Sequence, residues 1–370
     1  MNTPTRPWPV RLRRVVVKVG SSVLSHPGGA LDHHRCERLV AQLIQLRGQG
    51  TQVVFVSSGA IAAGMGSLGF KQRPRRLPQL QAAASVGQGQ LMRLYDELFG
   101  GSNVRVGQIL LTRDDLANRQ RYLNARHTLL TLLEAGVVPI VNENDTVAVE
   151  EIRFGDNDQL SALVAGLVHA DALVILSDVD GLLQHGRAIP VVEAITPELT
   201  RLAGGTSRAT STGGMATKLE AARIAMHSGI PLIIANGDTP QVLTRLAGGE
   251  PLGTLFLPRS SGLAAKKRWL AFAARRVQGA IVVDEGAQAA LSTGGKSLLA
   301  SGIIAARGQF IAGELVSVTG RDDHEFARGI SNYSAQDVAR VRGLKTAQIR
   351  QLLGERTDGE VIHRDNLVIL

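Results

Sequence analysis

The chain has 370 residues, of which 44% are hydrophobic and 20% are charged, a composition typical of a globular protein long enough for two domains. Its one cysteine, Cys36, excludes an intrachain disulfide and favours a reducing cytoplasm. We find no apolar core of a signal peptide, and no apolar run reaches the roughly 18 residues of a membrane span. We therefore expect a cytoplasmic protein with no membrane segment.

The net charge of +9 suggests an anionic substrate or a nucleic acid as partner. The basic surplus lies in the larger amino-terminal part, because residues 1–269 hold 29 basic and 21 acidic residues. Residues 270–370 hold 12 and 11. We therefore expect the anion to bind in the amino-terminal part.

Short β-branched runs alternate with helical stretches between residues 13 and 257. Strands buried on both faces that alternate with helices predict an open, mostly parallel sheet with helices on both faces. Helices are predicted over 31–46 and 114–134. The residues expected to face the core are Leu39, Leu43 and Leu46 in the first helix and Ala117, Leu129 and Leu133 in the second.

The alternation stops at "RSSGLAAKKR", and short strands with glycine turns follow. We predict a first domain over 1–260, a linker over 261–271 and a small, mostly β domain over 272–370. A helix is predicted at Ser334–Val341 in the second domain. "GMGSLG" and "GGKS" partly match nucleotide-binding motifs, but neither has the strand and helix context that those motifs require.

Lys18 lies in a valine run with the pattern of a buried strand, and Gly20-Ser21-Ser22 follow it. An unpaired buried ammonium is costly. One interpretation is an edge strand whose lysine reaches water. The other is a strand end that directs a cation toward a bound anion, beside backbone N–H groups of the turn.

Polar residues follow other predicted strands at the edge where ligands bind in such sheets. Ser57-Ser58-Gly59 precede a helix, where they suit an anion or supply a serine N-cap. Asn142–Asp145 follow a strand without glycine or proline, which favours a binding loop over a turn. Of Asp156-Asn157-Asp158, we expect one carboxylate to cap the next helix and the rest to meet a cation or Mg²⁺.

The last pair of segments supplies a second lysine. Ser177-Asp178 end a strand, and Thr212-Gly213-Gly214 open a helix that carries Lys218. Glycines there allow close approach of the backbone to phosphate. We expect Lys18 and Lys218 to flank one anion, with Asp178 between them, which is the arrangement that phosphoryl transfer needs.

Six segments, in this order, resemble the amino-acid kinase family, and within it the glutamate 5-kinases: VVVKVGSSVL, VSSGAIAAG, VNENDTV, FGDNDQLSA, LSDVDGL and STGGMATKLEAA. The carboxyl-terminal segments KRWLAF, IVVDEG and VIHRDNLVIL resemble the PUA domain of the bacterial enzymes. The resemblance covers essentially the whole chain.

This resemblance implies that ATP, with Mg²⁺ as cofactor, phosphorylates the side-chain carboxylate of L-glutamate in the first step of proline synthesis. It implies that Lys18 and Lys218 stabilise the transferring phosphoryl group and that Asp178 organises them. No protein residue is assigned as a metal ligand. The implied ATP site is Lys18, Ser177, Asp178, Thr212, Gly213, Gly214, Met215, Ala216, Thr217 and Lys218, and the implied glutamate site is Ser58, Gly59, Asn142, Asp145, Asn157 and Asp158.

The implied partners are a second copy of the chain in a dimer or tetramer, proline as a feedback inhibitor and a downstream glutamyl phosphate reductase. Two departures from the family pattern are Arg153, where a lysine often precedes the GDND loop and which bears on proline inhibition, and Ser177, where threonine is usual.

Two other functions stay open at this point. N-acetylglutamate is an alternative substrate, but it lacks the ammonium that Asp145 would pair. PUA domains elsewhere bind RNA, yet a surplus of +1 over residues 270–370 gives a poor electrostatic footprint for RNA. We therefore expect a regulatory or assembly role for that domain.

Overall fold

The structure is a computed structural model that describes residues 12–26, 30–148, 157–204, 214–258, 277, 279–344, 346–353 and 359–370. It divides into two compact units, the first formed by Met1–Asp115 and Gln120–Gly262 and the second by Leu116–Arg119 and Leu263–Leu370. The predicted linker, 261–271, lies outside the described residues, so the predicted domain boundaries stay a prediction.

The first unit contains an eight-stranded sheet, and the predicted open, mostly parallel architecture is confirmed. The strand order is β3-β4-β2-β1-β5-β9-β10-β8, and among the paired strands β9 and β10 run antiparallel. Strands β6 and β7 form a separate hairpin. The strands are β1 Arg14–Val19, β2 Gln52–Ser57, β3 Val106–Leu111, β4 Val138–Glu143, β5 Ala172–Ser177, β6 Leu183–Gln184, β7 Arg187–Ala188, β8 Val191–Val192, β9 Leu232–Asn236 and β10 Thr254–Phe256.

Helices connect these strands. They are α1 Ser21–Leu24, α2 His33–Gly48, α3 Ala60–Met65, α4 Leu77–Gly100, α5 Arg113–Ala117, α6 Arg119–Glu134, α7 Asp158–Val168, α8 Pro197–Gly204, α9 Met215–His227 and α10 Val242–Ala247. The predicted first helix is confirmed, with Leu39, Leu43 and Leu46 buried. No helix in the described ranges has the length and apolar character needed to cross a membrane.

The single helix predicted over 114–134 is wrong, because a bend at Asn118 divides it into α5 and α6. Asp115 helps to start α5, since its carboxylate accepts hydrogen bonds from the N–H and hydroxyl of Thr112. Next to this bend Leu116 is fully buried, whereas the predicted core residue Ala117 is only half-buried. The other two predicted core residues, Leu129 and Leu133, are buried.

The centre of the sheet contains Lys18. Strand β1 lies between β2 and β5, and Lys18 is in register with Val56 on one side and Ile175 on the other. Its side chain is completely buried. The interpretation of an edge-strand lysine that reaches water is therefore wrong.

Helices α3 and α4 cross in direct backbone contact. A Cβ atom on Gly87 would overlap the carbonyl oxygen of Ala60, and a Cβ atom on Gly64 would overlap that of Ala83. Both positions therefore require glycine. This crossing fixes the short helix that follows the Ser57-Ser58-Gly59 turn against the middle of α4.

The second unit contains a five-stranded sheet with the order β12-β11-β13-β14-β15, so the predicted mostly β domain is confirmed. The predicted helix near Ser334 is also confirmed, and the Ser334 hydroxyl caps it by accepting a hydrogen bond from the Asp337 N–H. The elements are β11 Gly279–Val283, α11 Glu285–Ser292, β12 Ile303–Gly308, β13 Leu315–Thr319, β14 Glu325–Ile330, α12 Ala335–Val341, α13 Thr346–Leu353 and β15 Leu367–Ile369, with 3₁₀ turns at Ala300–Gly302 and Arg364–Asn366.

Candidate active site

Polar side chains collect at the carboxyl ends of four adjacent strands of the first unit, β4, β2, β1 and β5. Lys18 is on β1, Ser57 ends β2, Asn142 is near the end of β4 and Ser177 ends β5. All four are buried. Burial of polar groups is costly unless they are paired, so their concentration at one edge marks a candidate site.

Two lysines share one carboxylate at this edge. Asp158 Oδ1 lies 2.7 Å from Lys18 Nζ, and Asp158 Oδ2 lies 3.4 Å from Lys218 Nζ. Asp158 is fully buried and Lys218 is 4% exposed. The Thr217 hydroxyl lies 2.8 Å from Asp158 Oδ2, which holds that oxygen from a second direction. These three charged groups together carry one positive charge, which suits an anion.

The predicted position of Asp178 between the two lysines is wrong, because Asp158 occupies it. Asp158 is the first residue of α7, and this helix packs against both β1 and α9, which carry the two lysines. Asp178 instead follows β5, is exposed and accepts a hydrogen bond from the Ser177 hydroxyl at 3.1 Å.

The predicted cap of this helix is also different from the one observed. Asn157 is the N-cap residue of α7 and makes no side-chain cap hydrogen bond, while the Asp158 carboxylate is taken up by the lysines. The third member of the predicted group, Asp156, lies outside the described residues.

Asn157 belongs to a second, neutral cluster. Its Nδ2 lies 2.7 Å from Asn142 Oδ1, 3.1 Å from Ser58 Oγ and 3.3 Å from the carbonyl oxygen of Ser57. The backbone of Asn157 has φ of +57°, a left-handed conformation that few residues other than glycine adopt. Because Asn157 and Asp158 are consecutive, the neutral cluster directly adjoins the paired lysines.

Tyr95 supports the Ser57 turn from α4. Its hydroxyl lies 2.7 Å from Ser57 Oγ, and its ring packs edge-on against Phe55 with centroids 5.2 Å apart. Burial raises the pKa of Tyr95, so the hydroxyl keeps its proton for this hydrogen bond. The N-cap residue of α3 is Gly59, with φ of +107°, so the alternative of a serine N-cap there is wrong.

The loop predicted at 142–145 begins later than expected. Asn142 and Glu143 lie within β4 and are buried, and Asn144 and Asp145 form the turn that follows. Asp145 is half-buried. Asn142 therefore lies in the interior as part of the strand, and Asp145 lies at the rim of the candidate site.

The remaining predicted site residues lie at the start of α9. Gly214 is its N-cap residue, Met215 and Thr217 are half-buried, and Ala216 is exposed. The Thr217 hydroxyl also lies 2.9 Å from the Gly214 carbonyl oxygen. Thr212 and Gly213, together with Arg153, lie outside the described residues.

Sequence reasoning missed two residues of this edge, Gln88 and Tyr95, which both come from α4. Gln88 Oε1 accepts a hydrogen bond from Asn142 Nδ2 at 2.9 Å. A weak signal was present, since Gly87 in mid-helix marks a place where α4 meets other backbone closely.

The second unit has a cleft of its own, with a volume of about 670 Å³, between α11 and the segment 296–302. Charged residues of both signs line it, namely Asp284, Lys296, Glu360 and Arg364. A mixed lining of this kind differs from the continuous basic surface that nucleic-acid backbones require.

Comparison with known proteins identifies the family of each of the two units. Residues 13–236 match the model of the amino acid kinase family, and residues 279–353 match that of the PUA domain. The chain is 52% identical to glutamate 5-kinase of Moorella thermoacetica over 97% of this chain and 96% of that one. It is 51% identical to glutamate 5-kinase of a Geobacter species, over 97% and 98%. For glutamate 5-kinase of Caldanaerobacter subterraneus the identity is 48%, over 96% and 98%.

These relatives match along nearly their entire length. The two family ranges contain every strand of the two described sheets except β10 and β15. With a buried pair of lysines at the carboxyl ends of a parallel sheet and a PUA domain after it, the chain belongs to the amino acid kinase family.

Proposed function

We propose that the chain transfers the γ-phosphoryl group of ATP to the side-chain carboxylate of L-glutamate, which gives L-glutamyl 5-phosphate and ADP in the first step of proline biosynthesis. The observation that carries this proposal is the bridge from Asp158 to both Lys18 and Lys218 at the ligand-binding edge of the sheet. The relatives at about 50% identity are glutamate 5-kinases, which supports the choice of substrate.

The two ammonium groups stabilise the phosphoryl group during transfer. A carboxylate oxygen of glutamate attacks the γ-phosphorus, and the bond to the β–γ bridging oxygen breaks as ADP leaves. The acceptor is already an anion, so no protein base has to remove a proton. Catalysis then consists of positioning and of positive charge around the transferred group. Asp158 holds the two lysines a fixed distance apart, which prepares the charge before ATP arrives.

ATP lies over the start of α9 and the end of β5. Gly214, Met215, Ala216 and Thr217 supply backbone to the phosphates together with Thr212 and Gly213, and Ser177 and Asp178 lie at the neighbouring strand end. The N-cap glycine at 214 leaves room for a phosphate oxygen near the backbone.

Mg²⁺ accompanies the nucleotide. Within the described ranges no three acidic, histidine or cysteine side chains form a metal site, whereas the exposed carboxylate of Asp178 offers one oxygen ligand beside the phosphates. This donor set fits Mg²⁺, which commonly takes one or two carboxylates and completes its shell with phosphate oxygens and water. When bound, the ion neutralises charge on the phosphates.

Glutamate binds in the neutral cluster. Ser58, Gly59 and Asn142 lie at the strand ends, Asp145 at the rim offers a carboxylate for the α-ammonium group, and Asn157 places the substrate next to Asp158. A pocket that pairs an ammonium group disfavours N-acetylglutamate, because acetylation removes the charge and leaves the carboxylate unpaired.

The proposal extends to the setting of the enzyme. The chain works in the cytoplasm as a dimer or tetramer, responds to proline as a feedback inhibitor and passes its reactive acyl phosphate to a glutamyl phosphate reductase. The PUA-like unit has a regulatory or assembly role, because residues of both charge signs line its cleft and such a lining disfavours nucleic acid as a partner.

The test is an assay of ATP consumption with Mg²⁺, in which glutamate, N-acetylglutamate and aspartate are compared and hydroxylamine traps the acyl phosphate. We expect hydroxamate with glutamate alone. Hydroxamate with another acid would keep the lysine pair as the phosphoryl site and would overturn the assignment of the substrate. If none of the three acids gives hydroxamate, the proposed function is wrong.

A further inference from the structure

Three side-chain amides form a continuous line of hydrogen bonds that includes Asn142 and Asn157 of the proposed glutamate site, and we call this line the amide relay. Gln88 Oε1 accepts from Asn142 Nδ2 at 2.9 Å, and Asn142 Oδ1 accepts from Asn157 Nδ2 at 2.7 Å. The relay connects α4, β4 and the N-terminus of α7. It therefore joins three separate elements of the first unit.

A backbone group fixes the direction of this relay. The N–H of Glu143 donates to Asn142 Oδ1 at 2.9 Å, and a backbone N–H cannot act as an acceptor. Asn142 must therefore keep its oxygen toward Glu143 and Asn157, and its NH₂ toward Gln88. Each neighbouring amide then has one permitted orientation, with oxygen at Gln88 and NH₂ at Asn157 facing Asn142.

This direction leaves one unused atom at each end of the relay. Among the described residues, neither Gln88 Nε2 nor Asn157 Oδ1 has a hydrogen-bond partner, and both atoms are buried. Unpaired buried polar atoms are rare in native proteins and call for an explanation. At the Asn157 end the unused atom is an acceptor, which matches an N–H donor such as an ammonium group.

We infer that Gln88 is a positioning residue that holds the Asn142 amide in place, so that Asn157, which is hydrogen-bonded to Asn142, keeps its oxygen directed at the α-ammonium group of the substrate. This inference rests on the proposed function. Gln88 acts through Asn142 without touching the substrate, and its place beside Gly87 holds it at the crossing of α3 and α4.

The inference predicts a specific defect for Gln88→Met, which keeps the length of the side chain and removes the acceptor. Asn142 Nδ2 then loses its partner, so the Asn142 amide is held only at its oxygen. The position of Asn157 Oδ1 opposite the ammonium group becomes less fixed. We expect the affinity for glutamate to fall by about tenfold. The affinity for glutarate, which has the same two carboxylates and no ammonium group, should change by less than about threefold.

Two matched variants control for the chemistry and the location. Gln88→Glu keeps an acceptor for Asn142 Nδ2 and should recover most of the glutamate affinity that Gln88→Met loses. Gln90→Met makes the same chemical change two residues away on α4, where the exposed side chain donates to Ser67 Oγ, and should leave both affinities unchanged.

The experiment is titration calorimetry of the full-length chain with glutamate and glutarate, together with kcat and KM for glutamate. A loss of selectivity for glutamate over glutarate in Gln88→Met, with recovery in Gln88→Glu, supports the inference. Equal weakening of both ligands, or equal losses in Gln88→Met and Gln88→Glu, would overturn it. If Gln88→Met does not fold, Gln88→Lys, which offers only donors to Asn142 Nδ2, should show the same loss. A wild-type chain that does not bind glutamate would overturn the proposed function itself.

Discussion

In the first unit, charged side chains are buried at the ends of central strands, whereas the ion pairs described in the second unit lie at or near its surface. Lys18 and Asp158 are both completely buried, while Arg307 and Asp323 are each more than half exposed. Over the described part of the second unit, the buried polar side chains are Thr319 and Ser331, and neither is charged.

The difference shows that the first unit bears the free-energy cost of burying charged side chains. Removing charges from water is expensive, and a buried pair is often no more stable than apolar residues of the same size. A surface pair costs little and contributes little. The buried lysines of the first unit are thus poor candidates for pure stabilisation, which agrees with a role in binding an anion.

The largest effect that would test this comparison is expected from the lysines themselves. In the proposed mechanism, Lys18→Met and Lys218→Met each remove one ammonium group that stabilises the transferring phosphoryl group, so kcat should fall by about a hundredfold or more. The KM for glutamate should change far less. Steady-state kinetics measures both, and Lys296→Met in the second unit is the control. An unchanged kcat in either variant would remove that lysine from the phosphoryl site.

Asp158→Asn should have the next largest effect. It keeps the size of the side chain but leaves two buried ammonium groups without the shared carboxylate, so the free energy of unfolding should fall by about 3 kcal/mol or more. The matched change Asp323→Asn breaks an exposed pair with Arg307 and should leave the unfolding midpoint unchanged. Urea unfolding compares them, and equal stability of the two variants would contradict the contrast drawn between the units.

A smaller effect is expected from a local cap in the second unit. Ser334→Ala removes the hydroxyl that accepts from the Asp337 N–H at the start of α12, which should cost about 1 kcal/mol. Activity with glutamate should be unaffected. Thermal unfolding and kinetics check this, and the control is Ser292→Ala, at the carboxyl end of α11. A loss of turnover in Ser334→Ala would connect the second unit to catalysis.

The smallest effect is expected on the mobility of RNA mixed with the protein. Because the cleft of the second unit has a mixed lining, the full-length chain should give no salt-sensitive mobility shift with single-stranded or duplex RNA at about 50 mM salt. A shift that disappears as salt is raised would revive RNA binding as an alternative function of the chain.

Much of the fold was predictable, because the alternation of β-branched runs and helices is a local property of the chain. The same holds for the burial of Lys18, which follows from its valine neighbours once β1 is central. The bend at Asn118 was not predictable, since the apolar spacing on either side of it is compatible with one helix.

The candidate site was predictable in its segments but not in its pairings. Asp158 and Asp178 both lie near the carboxyl edge of the sheet, and the sequence alone cannot tell which carboxylate reaches the lysines. The packing of α7 against β1 and α9 decides in favour of Asp158. Gln88 was missed for a related reason. The role of a glutamine on a helix depends on the strand residue that it contacts, and the sequence does not show that contact.

The crossing of α3 and α4 has a consequence for how this chain can change by mutation. A side chain at Gly64 or at Gly87 forces the same two backbones apart, so the first substitution already incurs most of the cost of the second. The two positions should therefore show strong epistasis, with a double substitution much less damaging than the sum of the single ones. A substitution at one of the two glycines is tolerated only if the helices have moved apart. Such a separation would also move Gln88 away from Asn142.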